Sequence, residues 1–283
     1  MAPRALSSFR LLSFDIYGTL IDWETGIQEA LKPLAARLDA SNPLKSDLLA
    51  LGSAFNKHER ATQTQNPKLT YDLVLKESYK ALARELAALP DATAENSDVD
   101  ALLDLEGTAF AESIARWPAF PDTVAAMRRL KQRGFKLVPL SNVDHASFRK
   151  SVYGPMRGLH EGMDPNKPFF DAVYTAQDIG SYKPDLRNFE YLLEHVKADF
   201  GVEKEEILHV AQSLFHDHEP AKKIGLQSVW IARGEGGVSG MGGDVEEYTG
   251  GENPKVAFGW KFNNLAELAD AIDKEVKERA TRE

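Results

Sequence analysis

Five short apolar runs constrain this chain more than any other feature: FRLLSFDIY (9–17), FKLVPLSN (135–142), DAVYTA (171–176), EILHVA (206–211) and LQSVWIAR (226–233). Turn-forming residues bound each of them, so each reads as a buried strand. Segments of helical period lie between the later runs, among them DTVAAMRRLKQRG before the second and NFEYLLEHVKADFG before the fourth. Strands that alternate with helices are the pattern of a parallel sheet wound on both faces. Gly134, Gly201 and Gly225 stand where such helices need a residue that tolerates positive φ at their ends. The expected fold class is α/β, a Rossmann-like doubly wound parallel sheet.

The spacing breaks once. About 95 residues separate the first strand from the helix that leads into the second, far more than a crossover needs. Within that gap IQEALKPLAARL, DLLALGSAFNKHERAT, TYDLVLKESYKALARELAAL and VDALLDLEGTAFAESI carry apolar residues at helical spacing and almost no strand pattern. The expected organisation is a helical cap over 22–118, inserted by two connections into a core made of 1–21 and 119–283. The Gly-rich stretch 234–254 is expected to be a mobile surface loop, and NLAELADAIDKEVKER to close the core as a last helix.

Composition narrows the chemistry. Asp and Glu total 43 against 34 Lys and Arg, a net charge of −9 that repels a phosphate backbone, so nucleic acid is not expected as a partner. The chain has 0 Cys, which removes disulfides, thiolate metal clusters and a cysteine nucleophile and leaves oxygen and nitrogen groups for any reaction. No run approaches the length of a membrane span, and MAPRALSSFR lacks the apolar centre of a secretory signal. A cytosolic enzyme acting on a small molecule, away from membranes, is the expectation. The oligomeric state is left open.

In a sheet of this kind ligands bind beyond the carboxyl ends of the strands. Asp15 ends the first strand, with Tyr17 two residues on. Ser141 and Asn142 end the second, Lys183 lies in the loop after the third, and Gln212, Ser213, His216, Asp217 and His218 follow the fourth. A carboxylate, a hydroxyl, an ammonium and a second carboxylate thus meet from four strand ends. Plainer roles exist for each residue: Asp15 as a turn cap, Ser141 and Asn142 as turn residues, Lys183 as a solvated loop lysine, Asp217 as an acid near a helix N-terminus, and His216 and His218 as structural histidines.

Taken in order, DIYGTL, LSN, YKPD and a fourth motif ending at Asp217 resemble the haloacid dehalogenase superfamily over essentially the whole chain, and that superfamily also inserts a helical cap between its first two motifs. The resemblance implies Asp15 as nucleophile, Lys183 as the cation that keeps it ionised, and Asp217, supported by Ser213 or His216, as the group that positions water. Phosphatases of the superfamily carry Asp two residues after the nucleophile, where this chain has Tyr17, and a metal-side carboxylate where it has Gln212. DIYGTLID therefore resembles the L-2-haloacid dehalogenase branch, which works without metal or other cofactor. That implies hydrolysis of small (S)-2-haloalkanoic acids through an aspartyl ester to 2-hydroxy acid and halide. Ser141 would hold the substrate carboxylate, Asn142 would face the halide and Tyr17 would line the pocket. The branch's cap arginine corresponds to Asn56, with Arg60 one helical turn on as the candidate anion ligand, and its motif-three tyrosine corresponds to Phe189. The alternative is a magnesium-dependent phosphatase of small phosphomonoesters, with Asp217 as metal ligand; a third class is a silent binding protein on the same fold.

Overall fold

The computed structural model describes residues 4–90, 98–164, 167–234 and 244–281. Six strands form one sheet: β1 (Leu11–Phe14), β2 (Lys136–Ser141), β3 (Tyr174–Thr175), β4 (Ile207–Ala211), β5 (Gln227–Ile231) and β6 (Trp260–Phe262). Their order is β3-β2-β1-β4-β5-β6, and every pair is parallel. That is the Rossmann-like doubly wound arrangement the sequence predicts. All four residues of β1 are buried, as a central strand covered on both faces requires.

The strands are shorter than the apolar runs that announce them, because pairing stops where the chain turns toward loops. The third run keeps only Tyr174–Thr175 as strand. The sixth strand was not expected from the sequence: it is an edge strand of three residues, half-buried at its ends and exposed at Lys261, too short to show alternation. The helix Arg187–Phe200 turns Phe189, Leu192 and Val196 inward, the spacing of one helical face, and ends on Gly201 at φ 59°. Gly134 and Gly225 likewise adopt φ 88° and 68°. Val245–Thr249 is a short helix with Tyr248 buried, so the expected loop 234–254 is partly helical. Residues 235–243 of it lie outside the described residues. The last helix runs Leu265–Ala280.

Two compact units divide the chain. One holds Met1–Ile21, Ala119–Asn142 and Met156–Glu283 and contains the sheet; the other holds Asp22–Pro118 and Val143–Pro155. Among its described residues the second unit is helical, with helices at Trp23–Arg37, Leu48–Gln65, Tyr71–Glu85, Val99–Glu112 and His145–Tyr153. Asp22, Asp47, Asp98 and Asp144 cap four of these N-termini, each accepting a backbone N–H of the first turn. Residues 143–155, which the sequence gives to the core, belong here for a local reason. Asp144 Oδ2 accepts the Tyr71 N–H at 3.0 Å, and Lys150 pairs with Glu112 at 2.8 Å. The unit's interior is built on Phe55, Leu75, Leu82 and Phe110, with the two Phe rings 4.9 Å apart. Gly26 packs against Trp117 so closely that a Cβ there would lie 2.3 Å from the indole Cγ.

Candidate active site

The strand order reverses between β1 and β4, so the crevice outside their carboxyl ends is where such a sheet binds ligands. Asp15 follows β1 directly, its N–H donating to Val210 O of β4 at 3.1 Å. The chain then turns back on itself: Gly18, at φ 94°, donates to Ile21 O at 2.8 Å, a turn that favours glycine. This returns Thr19 to Asp15, and its hydroxyl donates to Asp15 Oδ2 at 2.7 Å while accepting the Gln212 N–H at 2.9 Å. Arg233, at the end of β5, holds the loop from behind. Its Nε and Nη2 donate to Thr19 O at 3.1 and 2.9 Å, Nη1 pairs with Asp122 at 2.6 Å, and the guanidinium lies 4.1 Å over the Phe120 ring.

Lys183 is the hub. Its ammonium donates to Asp15 Oδ1 at 2.8 Å, Asp217 Oδ1 at 2.7 Å and Leu140 O at 3.0 Å. An ammonium has three protons, so all are placed. Its backbone is fixed by Asn142, whose Oδ1 accepts the Lys183 N–H at 2.7 Å while Nδ2 donates to Lys183 O at 3.0 Å. All three charged side chains are buried. Burial works against the Lys183 ammonium, but Asp15 and Asp217 outweigh it and hold the lysine above its ordinary range. Burial would likewise raise Asp217, yet Lys183 and His209 keep it well below the usual carboxylate range. One ammonium cannot compensate two carboxylates: burial, against the pull of Lys183 and with the charge of Asp217 added, pushes Asp15 up.

Asp217 reaches Lys183 through a wide turn, Leu214–His218, in which the Asp217 and His218 N–H groups both donate to Ser213 O at 3.2 Å. Such π-turns recur at functional sites. Ser213 caps it, its Oγ accepting the His216 N–H at 3.0 Å. Beneath Asp217 lies His209 of β4, fully buried, with Nε2 at 2.9 Å from Asp217 Oδ1 and Nδ1 at 3.1 Å from Ser13 Oγ. A carboxylate only accepts, so Nε2 carries the proton in that bond. Among the described residues, two polar atoms of the site are buried with no partner: Ser141 Oγ and Asp217 Oδ2.

Of the residues singled out in the sequence, the sheet-bearing unit brings Asp15, Asn142, Lys183 and Asp217 into one hydrogen-bonded group, with Ser141 at the end of β2 and Ser213 on the turn that carries Asp217. Tyr17 is half-buried on the Asp15 loop. Asn142, expected to face a leaving group, is engaged through both ends of its amide in holding the Lys183 loop. His218 is bound to Ala211 O and Ser228 Oγ, and burial pushes its imidazole down to about 4. Arg60 belongs to the helical unit and is exposed. On the same helix Asn56 and Glu59 are the buried polar residues; Glu59 Oε1 accepts the Tyr71 hydroxyl at 2.8 Å, Oε2 has no partner, and burial pushes this carboxyl up to about 7.

His209 and Arg233 escape a reading by motif, and Thr19, though inside DIYGTL, is given no role by it. The signal that finds His209 is a lone imidazole inside an otherwise apolar strand run, two residues before the loop. Magnesium needs several hard oxygen ligands. Gln212 brings a neutral amide, Asp15 accepts from Lys183 and Thr19 and Asp217 Oδ1 from Lys183 and His209, and among the described residues no group of three or more His, Cys, Asp or Glu is disposed to hold a metal ion. No helix among them is long and apolar enough to cross a membrane. Chemically, the site offers a carboxylate oriented by two hydrogen bonds beside an ammonium, and a second carboxylate with one bare oxygen.

The sequence model of the haloacid dehalogenase-like hydrolases matches residues 9–225. Glyceraldehyde 3-phosphate phosphatase of Methanocaldococcus jannaschii is 28% identical over 153 residues, 54% of this chain and only 56% of the phosphatase. The (S)-2-haloacid dehalogenase of Pseudomonas sp. (strain YL) is 26% identical over 227 residues, 78% of this chain and 82% of that enzyme. The structure of L-2-haloacid dehalogenase from Xanthobacter autotrophicus with chloropropionic acid covalently bound shares the fold at a TM-score of 0.65 and 18% identity, covering 94% of this chain and 98% of that one.

Proposed function

Since the chain belongs to the haloacid dehalogenase-like hydrolases, we propose that it is a dehalogenase of small (S)-2-haloalkanoic acids, with Asp15 as nucleophile and no metal or other cofactor. The observation that supports this reading best is the donor set around Asp15. It holds two carboxylates and one ammonium, with Tyr17 and the neutral Gln212 at the positions where a phosphatase of this superfamily has its leaving-group acid and a metal-side carboxylate.

In the first step Asp15 attacks C2 of the substrate from the side opposite the halide, the carbon–halide bond breaks, and halide leaves as the anion while an ester forms on Asp15. Thr19 holds Oδ2 and Lys183 holds Oδ1, so the carboxylate is oriented before the substrate arrives. Ser141 Oγ, buried and unpartnered, donates to the substrate carboxylate. In the second step water adds to the Asp15 acyl carbon and the acyl–oxygen bond breaks. The hydroxy acid leaves with one water proton, and the carboxyl re-forms and ionises. Asp217 is too acidic to take a proton for long; its role is to orient that water through Oδ2. The proposed setting is cytosolic, with a small-molecule substrate as the only partner.

A single turnover of 2-chloropropionate in heavy-oxygen water puts the label into the peptide that contains Asp15, and Asp15→Asn abolishes halide release. An unlabelled peptide beside labelled hydroxy acid rules out the ester. The phosphatase relatives favour one other reading, hydrolysis of a small phosphomonoester. Activity on p-nitrophenyl phosphate that disappears with EDTA would establish it in place of the dehalogenase.

A further inference from the structure

His209 lies outside the four motifs, yet among the described residues it is one of two side chains that donate to Asp217. We propose that His209 is a positioning residue: by donating from Nε2 to Asp217 Oδ1 it fixes this carboxylate in the orientation that reserves Oδ2 for the hydrolytic water. The role rests on the aspartyl ester proposed for Asp15, and it acts in the second step rather than the first.

The argument follows from how the donors are shared. Lys183 divides its three protons between Asp15, Asp217 and Leu140 O. Once Asp15 becomes a neutral ester, its hold on the ammonium weakens and Asp217 is the sole anion bonded to Lys183. A carboxylate held by Lys183 alone then has a single donor to set its angle, on an ammonium whose other fixed bond is to Leu140 O. His209 is an anchor of a different kind. It sits on β4 directly opposite Ser13 of β1 in the sheet register, and the Ser13 hydroxyl lies 3.1 Å from Nδ1. The Phe189 ring stands edge to face against the imidazole, with centroids 5.3 Å apart. The ring is therefore locked by two strands and a helix, and Asp217 keeps its orientation whatever Lys183 does. Phe189 takes part by packing, which is how a residue without a hydroxyl serves at that position.

The geometry separates positioning from packing, because Gln and Asn place their amides differently. The amide nitrogen of Gln reaches the place of imidazole Nε2, while that of Asn reaches only the place of Nδ1. In His209→Asn and His209→Phe the first equivalent of halide is expected to appear at the wild-type rate, followed by steady turnover slower by about tenfold or more. KM should hardly move, and mass spectrometry should find the ester trapped on Asp15. His209→Gln should restore most of the steady rate. Equal rates for the Asn and Gln variants, or a loss shared by the burst and the steady phase, overturn the proposal. If the Phe variant fails to fold, the comparison of Asn with Gln stands by itself. Wild-type protein that releases no halide refutes the function proposed for Asp15 instead. In that event the imidazole Nε2–H proton resonance decides for His209: it must be present in the wild type and vanish in Asp217→Asn, and its absence from the wild type overturns the anchor.

Discussion

Glu59 gives the helical unit a stability that falls as pH rises. Its carboxyl is buried, hydrogen-bonded on one oxygen only, and displaced by burial from 4.5 to about 7. The folded state thus holds a proton that the unfolded chain releases at lower pH. The contribution is complete below the unfolded pKa and is lost as pH rises through the folded one. With those two values the linkage relation gives a loss of about 2.5 kcal/mol between about pH 5 and about pH 8.5. Glu59→Gln keeps the acceptor for Tyr71 and cannot titrate. Urea unfolding of wild type and variant at both pH values isolates the group, since every other titration cancels in the difference. The variant should gain about 2.5 kcal/mol on the wild type between the two conditions. A difference that does not change with pH, or a Glu59 carboxyl signal titrating near its ordinary value, refutes the assignment.

Two other substitutions test packing and loop support. Gly26→Ala drives a Cβ into the Trp117 indole, and overpacking of this kind costs about 1 to 3 kcal/mol, more than alanine gains in a helix. Lower thermal stability is expected, and an unchanged or higher melting temperature would contradict the close approach. Arg233→Met removes two donors from Thr19 O and leaves Asp122 unpaired in a largely buried setting, at about 3 kcal/mol. Arg233→Lys keeps the charge but not the fork, so it should retain more stability than Met while losing turnover through a slackened Asp15 loop. Equal turnover in Arg233→Lys and wild type would show that the clamp does not reach the chemistry.

Strand alternation and the four strand-end motifs were legible because they depend on local pattern and on one rule of parallel sheets. What was hidden depends on register. Ser13 and His209 are 196 residues apart and meet only because β1 and β4 pair as they do; within EILHVA the histidine reads as an interruption. Arg233 reads as the polar end of a strand, since nothing near it in sequence shows that Thr19 O needs a donor. On the helix carrying Arg60, Leu51, Gly52, Phe55, Asn56 and Glu59 are buried, and Arg60, one turn beyond Asn56 at the flank of that face, is exposed. The edge strand Trp260–Phe262 is too short for any periodic test.

The central place of β1 governs how the chain comes together in time. Leu11–Phe14 pairs with residues that begin at Lys136 on one side and Ile207 on the other. At roughly 5 to 20 residues per second, a ribosome needs about 10 to 40 s to supply the second neighbour. Throughout that interval the first strand has an unpaired apolar edge, while the helices made between its partners draw mainly on local contacts. Such long-range pairing makes for slow folding. The ion cluster, whose Asp15 and Lys183 are 168 residues apart, can be completed only after the sheet has closed around its oldest strand. A newborn chain therefore acquires the Asp15–Lys183 pair late, and an interrupted one carries Asp15 without the lysine that holds it.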